Sequence, residues 1–166
     1  MSLKVRDAVD SDAPAITAIY NHYIRDTVIT FEEEEVSVTE MCSRQQRVRE
    51  AGWPYLVAER DGELLGYAYA NTWKARRAYR HSVESTVYLH PQHTGQGCGR
   101  ALYEALLARL RMLPVHAVIG CITQPNAASV ALHERLGFVQ VSRFCEVGFK
   151  FGRWIDVADW QLRLGD

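Results

Sequence analysis

The chain lacks three features that mark whole classes of protein. Its formal net charge is −1, from 19 basic and 20 acidic side chains, so no global field draws it onto nucleic acid or an acidic membrane. No apolar run approaches the roughly 20 residues that a membrane-crossing helix needs. The N-terminal residues show no apolar stretch typical of a signal peptide, and we therefore expect a cytoplasmic protein with neither a membrane nor a nucleic-acid partner.

Cysteine is scarce and scattered. The four cysteines form no C-x-x-C pair, which favours reduced thiols in a cytosol over a disulfide framework. They are Cys42, Cys98, Cys121 and Cys145. The acidic run 32–35 is interpreted as a solvated turn and not a metal cluster, and we expect no metal.

What is present is a chain of 166 residues with 48% hydrophobic and 23% charged content, the balance of one folded domain spanning residues 1–166. Apolar periodicity predicts an α+β fold with a mixed, mainly antiparallel sheet of about seven strands and about four helices. Asp61-Gly62 between two apolar runs predicts a hairpin. The predicted strands are 3–9, 54–59, 64–70, 82–89, 117–122, 138–149 and 156–164. The predicted helices begin near 12, span 37–51, follow the glycines near 98, and span 126–136.

The most informative segment is 87–102, where an apolar strand leads through three alternate glycines into an amphipathic helix. Gly95, Gly97 and Gly99 leave backbone N–H groups uncovered just before a helix N-terminus. Together these groups form a concave, partly positive site for a phosphate or pyrophosphate.

Two common phosphate-binding folds do not match this segment. A P-loop needs a lysine followed by serine or threonine after its glycines, where this chain has Arg100-Ala101. A dinucleotide fold places G-x-G-x-x-G after its first strand, whereas this loop follows the fourth predicted strand and lacks the final glycine of that pattern.

Three segments together resemble the GCN5-related N-acetyltransferases (GNAT). They are the strand–glycine loop–helix, 124–129 (Gln-Pro-Asn-Ala-Ala-Ser) and 132–138 (Leu-His-Glu-Arg-Leu-Gly-Phe). The pyrophosphate loop of that family reads Arg/Gln-x-x-Gly-x-Gly/Ala, and this chain departs from it only in having Thr94 at the first position. The departure removes one side-chain anchor and leaves the backbone amides to bind the phosphate.

The resemblance narrows to the phosphinothricin acetyltransferases and their methionine sulfoximine and methionine sulfone relatives, with matching pieces at 20–24, 73–79, 84–88 and 148–154. It implies the GNAT fold, acetyl-CoA as co-substrate, the α-amine of an amino-acid-like acceptor and a homodimer, which Phe149, Phe151 and Trp154 could support. The resemblance leaves open whether resistance to a herbicide-like compound is the main task of such a protein or incidental to another task. The residues assigned to acetyl-CoA are Val87, Tyr88, Leu89, Thr94, Gly95, Gln96, Gly97, Cys98, Gly99, Arg100, Asn126 and Ser129.

Glu84 is the candidate general base. Side chains alternate along the strand from Ser82, so Glu84, Thr86 and Tyr88 share one face just upstream of the glycine loop. An α-ammonium must lose a proton before it attacks a thioester, and a nearby carboxylate can take that proton directly or through water. The alternative is a surface carboxylate in an ion pair.

His133 is the second candidate catalytic residue. It shares a helix face with Asn126, Ser129 and Val130, and three polar residues on one face fit the lining of a cleft. The resemblance implies that this histidine either protonates the departing thiolate or helps Glu84 with the amine. A hydrogen-bonded structural histidine is the alternative.

The loop 73–80 places cations between aromatic rings. A guanidinium suits a carboxylate or phosphinate because it donates two parallel hydrogen bonds, while the overall charge gives RNA binding no support. The residues predicted to bind the acceptor are Phe31, Lys74, Arg76, Tyr79, Ser85, Thr86 and Tyr88.

The expected mechanism is direct transfer in a ternary complex, with backbone N–H groups of the sheet stabilising the oxyanion. An acetyl-cysteine route through Cys98 or Cys121 lacks an obvious base. Two other functions stay open: acetylation of a protein N-terminus or lysine, and a non-catalytic acyl-CoA-binding module that regulates a partner.

Overall fold

The computed structural model describes residues 2–165, and its centre is a seven-stranded sheet in the order β1-β2-β3-β4-β5-β7-β6. Every neighbouring pair is antiparallel except β4 and β5, which run parallel. The predicted mixed, mainly antiparallel sheet is therefore confirmed. The strands are β1 (Lys4–Asp7), β2 (Tyr55–Arg60), β3 (Glu63–Thr72), β4 (Ser82–Leu89), β5 (Ala117–Thr123), β6 (Val139–Lys150) and β7 (Arg153–Arg163).

Four helices cover the two faces of this sheet, and each face has its own core. The helices are α1 (Ala13–Asp26), α2 (Val38–Glu50), α3 (Cys98–Arg111) and α4 (Ala127–Arg135). The first two pack on one face over a tyrosine-rich cluster, and α3 packs on the other face with the partly buried apolar side chains of α4. Within residues 2–165, no helix is both long and apolar enough to span a bilayer.

The amphipathic helix predicted after the glycines is α3, and its apolar side forms the centre of the core on that face. Leu102, Leu106 and Leu110 have no exposed surface. Burial of one leucine contributes about 1.5–3 kcal/mol, so the three together hold α3 firmly against the sheet. The helix that follows the glycine loop is thus fixed in position.

Two hairpin turns show where local patterns succeed and where they fail. Asp61 and Gly62 both have positive φ angles (53° and 81°), as a two-residue turn between β2 and β3 requires. The turn between β6 and β7 uses Phe151 and Gly152, with φ angles of 54° and 73°. The strand β7 was predicted to start at 156, whereas it begins at Arg153. Phenylalanine rarely has a positive φ angle, so the sequence at 151–152 gives no clear signal of this turn.

The sheet opens between its two parallel strands. Pairing of β4 with β5 is confined to Ser82–Glu84 against Ala117–Ile119. Beyond this point β4 continues along β3 as far as Leu89, and β5 continues along β7 as far as Thr123. Past Glu84 the facing edges of β4 and β5 therefore have no strand partner within the described residues, and a gap opens in the middle of the sheet.

Candidate active site

The glycine loop leads from the end of β4 into α3. Gly95 and Gly97 have φ angles of 72° and 84°, and a Cβ atom added to either would meet nothing within 4 Å. Gly97 is the N-cap of α3 and supplies no side-chain hydrogen bond to it. No side chain caps the first amides of this 14-residue helix, and such an uncapped N-terminus suits a phosphate.

The other residues assigned to the donor surround this loop or lie near it. Thr94, Gly95, Gln96, Gly97 and Arg100 are exposed, whereas Cys98 and Gly99 are buried at the start of the helix. Arg100 forms an ion pair with Glu104 at 2.7 Å. Asn126 caps α4 by accepting a hydrogen bond from the backbone N–H of Ser129 at 3.2 Å, so its side chain is engaged in the helix start.

Side chains of β4 alternate between the two faces, as predicted. Tyr88 belongs to the cluster under α1 and α2, and Val87 and Leu89 pack against the cluster under α3. Glu84 and Thr86 share the Tyr88 face, since side chains two residues apart on a strand point the same way. We refer to this side of the sheet as the acceptor face and to the α3–α4 side as the donor face.

On the donor face, a chain of hydrogen bonds joins Ser85, Tyr103 and His133. Tyr103 Oη lies within hydrogen-bond distance of Ser85 Oγ and 2.8 Å from His133 Nε2. His133 Nδ1 lies 2.7 Å from the backbone oxygen of Ser129. A carbonyl only accepts, so we assign the proton to Nδ1, and Nε2 then accepts from the Tyr103 hydroxyl.

Burial keeps both rings of this chain neutral. It lowers the pKa of His133, opposed in part by the hydrogen bond to Ser129, and it raises the pKa of Tyr103. Gly120 makes room for the imidazole, because a Cβ atom there would lie 2.6 Å from His133 Nε2. Ser85 and Gly120 each follow the last paired residues of β4 and β5, so Tyr103 and His133 lie beside the opening of the sheet.

Ser85 and His133 therefore lie apart from the acceptor-face residues. The Ser85 hydroxyl points away from Thr86 and Tyr88, because neighbouring strand residues alternate. The assignment of Ser85 to the acceptor-binding residues stays a prediction, and the orientation of its hydroxyl does not favour it. The same alternation separates His133 from Glu84, so the geometry favours proton donation on the donor face over direct help to Glu84.

On the acceptor face, Glu84 is the group best suited to take a proton. Its pKa is raised, mainly by burial and next by the charge of Asp159. Asp159 is the β7 partner of Cys121 on β5, and its carboxylate accepts a hydrogen bond from Ser142 at 2.8 Å. The pKa of the Cys121 thiol is raised to about 12, first by burial and then by Asp159 and Glu84. A thiol this hard to ionise is a poor nucleophile, which weighs against an acetyl-cysteine route.

A cavity of about 240 Å³ lies on the acceptor face over β3, the strand that pairs with β4. Asn71 and Tyr69 line it, and they are the cross-strand partners of Glu84 and Thr86. Its other lining residues come from α1, α2 and neighbouring strands: Tyr20, Met41, Arg44, Arg47, Val48, Tyr55 and Tyr67. The cavity is thus bounded by aromatic rings, two guanidinium groups and an amide, and Asn71 connects it to the strand that carries Glu84.

None of the residues predicted to bind the acceptor lines this cavity. Lys74, Arg76 and Tyr79 are exposed, and Lys74 Nζ lies 5.5 Å from the centroid of the Tyr79 ring. The Phe31 ring packs over Gly148 on β6. Within residues 2–165, no ion pair neutralises Lys74 or Arg76, so both charges are free to meet an anionic group.

Several residues of the site were missed by the sequence analysis. Tyr103 sits within an apolar helix stripe, and Asp159 sits within an apolar strand. Glu32, interpreted as part of a solvated turn, forms two hydrogen bonds with Arg44 at 2.7 and 2.8 Å. Glu32 and Arg44 lie on separate segments of the chain, and their positions in the sequence do not show that they are in contact.

The sequence of this chain is similar to those of several known proteins. A family model described as acetyltransferase (GNAT) domain matches residues 5–158. The chain is 49% identical over 165 residues to a phosphinothricin N-acetyltransferase of Alcaligenes faecalis, covering 98% of this chain and 84% of that protein. It is 36% identical to the L-methionine sulfoximine/L-methionine sulfone acetyltransferase of Salmonella typhimurium, covering 99% and 96%.

A solved structure shows the same fold. The phosphinothricin acetyltransferase of Sinorhizobium meliloti, crystallised in complex with AcCoA, superposes with a TM-score of 0.96 at 40% identity. The alignment covers 99% of this chain and 90% of that one.

Proposed function

Because this chain belongs to the GNAT acetyltransferase family, we propose that it transfers the acetyl group of acetyl-CoA to the α-amine of a small amino-acid-like acceptor. The proposed acceptors are of the phosphinothricin, methionine sulfoximine or methionine sulfone type, which are the substrates named for its relatives. The transfer is direct, in a ternary complex of enzyme, donor and acceptor.

The opening in the sheet is the observation that best supports this proposal. The sheet opens between β4 and β5 immediately after Glu84, with a carboxylate on one face and a tyrosine–histidine pair on the other. Two substrates approaching from opposite faces would meet at this opening. A proton acceptor for the amine then lies on one side, and a proton donor for the leaving group lies on the other.

The donor face fits acetyl-CoA. The open amides at the start of α3, next to Gly95 and Gly97, are suited to the pyrophosphate, and Asn126 and Ser129 lie at the start of α4. When bound, acetyl-CoA supplies the thioester that carries the acetyl group. Unpaired peptide N–H groups along the gap side of β4 are candidates to stabilise an oxyanion.

Glu84 takes the proton of the acceptor ammonium. Burial raises its pKa, so its ionised form is a stronger base than an exposed glutamate. Thr86 and Tyr88 lie on the same face and border the acceptor. Lys74, Arg76 and Tyr79 bind its acidic groups from the exposed loop, and Phe31 covers it from the α1–α2 connection.

Tyr103 and His133 supply a proton on the donor face. The Tyr103 hydroxyl donates to His133 Nε2 in the resting state, and it is the O–H group beside the opening. When it turns from Nε2 and gives its proton to a departing thiolate, the Ser85 hydroxyl can donate a hydrogen bond to the phenolate oxygen that is left. Tyr103 is thus added to the His133 role that the sequence predicted.

A steady-state screen tests the proposal. Coenzyme A release is measured with free amino acids and their sulfoximine, sulfone and phosphinate analogues, with a short peptide as a separate arm. We expect kcat/KM above about 10⁴ M⁻¹s⁻¹ for at least one free amino-acid-like acceptor, and intersecting initial-velocity patterns. Turnover of the peptide alone would indicate a protein N-acetyltransferase. Donor binding without any turnover would indicate a regulatory module.

We also propose that the chain pairs as a homodimer through the exposed end of the β6–β7 hairpin. Phe149, Phe151 and Trp154 expose 53%, 59% and 63% of their surfaces, and such a cluster is unusual on a monomer. Light scattering should give twice the single-chain mass of 18.9 kDa for the wild type, and one chain mass for Trp154→Glu. A monomeric wild type would refute the pairing and leave the catalytic proposal intact.

A further inference from the structure

The position of Phe31 depends on a glycine from a distant strand. A Cβ atom added at Gly148 would lie 2.3, 2.5 and 2.9 Å from three carbons of the Phe31 ring. Real side chains do not approach so closely, so only glycine permits this contact. The φ angle of Gly148 lies outside the left-handed region, so the ring and not the backbone conformation accounts for the glycine.

Two residues further along β6, a lysine reaches the same segment. Lys150 is only 1% exposed, and its Nζ donates a hydrogen bond to the backbone oxygen of Thr30 at 2.9 Å. Lysine is almost never buried to this extent without a partner that justifies the cost. Here its partner is a carbonyl of the α1–α2 connection, so the ammonium group fixes that segment to β6.

The segment 30–32 is tied to the acceptor cavity at its other side. Thr30 Oγ1 lies 2.9 Å from the Tyr20 hydroxyl, which also donates to the Glu32 carboxylate. Glu32 accepts two hydrogen bonds from Arg44. Tyr20 and Arg44 both line the cavity on the acceptor face. The three residues 30–32 therefore bridge β6 on one side and the cavity wall on the other.

We propose that Gly148 and Lys150 are positioning residues that hold Phe31 and the cavity wall in place, and so set the affinity for the amine acceptor. The inference rests on the proposed function. Gly148 leaves space for the ring, and Lys150 fixes the backbone one residue before it. The contacts of both residues are with the segment 30–31, so we expect acetyl-CoA binding to be independent of them.

Kinetics of Gly148→Ala and Lys150→Met test the proposal. We expect KM for the acceptor to rise about five- to twentyfold in each variant, with KM for acetyl-CoA changed less than twofold. Val141→Ala on the same strand, at an exposed side chain, is the matched control and should leave both constants unchanged. Equal increases in both KM values would mean a general loss of structure and would overturn the assignment.

A double-mutant cycle isolates the role of Phe31. Phe31→Ala should itself raise KM for the acceptor, and Gly148→Ala should then add less than twofold, because the clashing ring is gone. Independent, multiplying effects would show that Gly148 acts by another route. If Gly148→Ala does not fold, Lys150→Met and Phe31→Ala still decide the question.

Hydrogen exchange separates this inference from the proposed function. The amide of Glu32, which donates a hydrogen bond to Thr30 Oγ1, should exchange at least tenfold faster in Lys150→Met than in the wild type, whether or not any acceptor is turned over. Unchanged exchange would refute the anchoring. Absence of turnover in the wild type would instead refute the proposed acetyl transfer.

Discussion

Replacement of Glu84 by glutamine should lower activity and raise stability together. The side chain keeps its shape, and it loses only the charge and the ability to take a proton. A general base contributes about 10²- to 10⁴-fold, so kcat at pH 7 should fall by that factor. KM for acetyl-CoA should stay within about twofold, because the glycine loop lies at the far end of β4 and opens on the donor face.

The gain in stability follows from the raised pKa. In the folded protein, burial and Asp159 make Glu84 hold its proton to higher pH than in the unfolded chain. Ionisation above the ordinary pKa of about 4.3 therefore weakens the fold, increasingly so until pH passes the folded-state pKa. Glutamine avoids this loss. We expect the free energy of unfolding at pH 7 to rise by about 1 kcal/mol, or Tm by about 2–4 °C, with no gain near pH 4.

Both effects can be measured on one preparation. Thermal unfolding followed by circular dichroism at pH 4 and pH 7 gives the stability change, and coenzyme A release gives kcat. Glu134→Gln, at an exposed carboxylate on α4, is the control for loss of one negative charge. Unchanged kcat would remove Glu84 from the mechanism, and a lower Tm at pH 7 would refute the assigned origin of its pKa.

Three further perturbations probe the two faces. Tyr103→Phe leaves His133 Nε2 without its donor, so kcat should fall at least tenfold and stability by about 1–3 kcal/mol, measured by turnover and denaturant titration. Asp159→Asn removes the charge that faces Glu84 and lowers the Glu84 pKa. The acid limb of kcat/KM against pH should then move to lower pH, whereas a move to higher pH would contradict the pairing. Gly97→Ala forces a side chain into the left-handed region at a cost of about 1–2 kcal/mol. KM for acetyl-CoA should rise about five- to tenfold by initial-rate kinetics, and an unchanged value would exclude the loop from donor binding.

The parts of the fold that depend on local pattern could be read from the sequence. Alternation along 82–89 assigned the faces of β4 correctly, and the amphipathic pattern after the glycines predicted the helix α3. Asp61-Gly62 located a hairpin. The glycines at alternate positions predicted the loop, because the groups expected to bind phosphate there are its own backbone amides. Such groups require no contact with a distant segment.

Contacts between distant segments could not be read in the same way. Tyr103 and His133 lie on different helices, and nothing in the spacing of either shows that a hydroxyl meets an imidazole. The contact of Phe31 with Gly148 joins a loop to the far strand of the sheet. The opening after Glu84 also depends on how far two parallel strands stay together, which packing on both faces decides.

The split sheet has an evolutionary consequence. In the proposed mechanism, the residues that contact the donor lie on one side of the sheet, the residues that contact the amine lie on the other, and the two sets meet only at the opening beside Glu84. Substitutions in the tyrosine-lined cavity can therefore change which amine is bound without changing the residues proposed to bind acetyl-CoA. Diversification of acceptor preference across such enzymes is then expected to concentrate on a single side of the molecule.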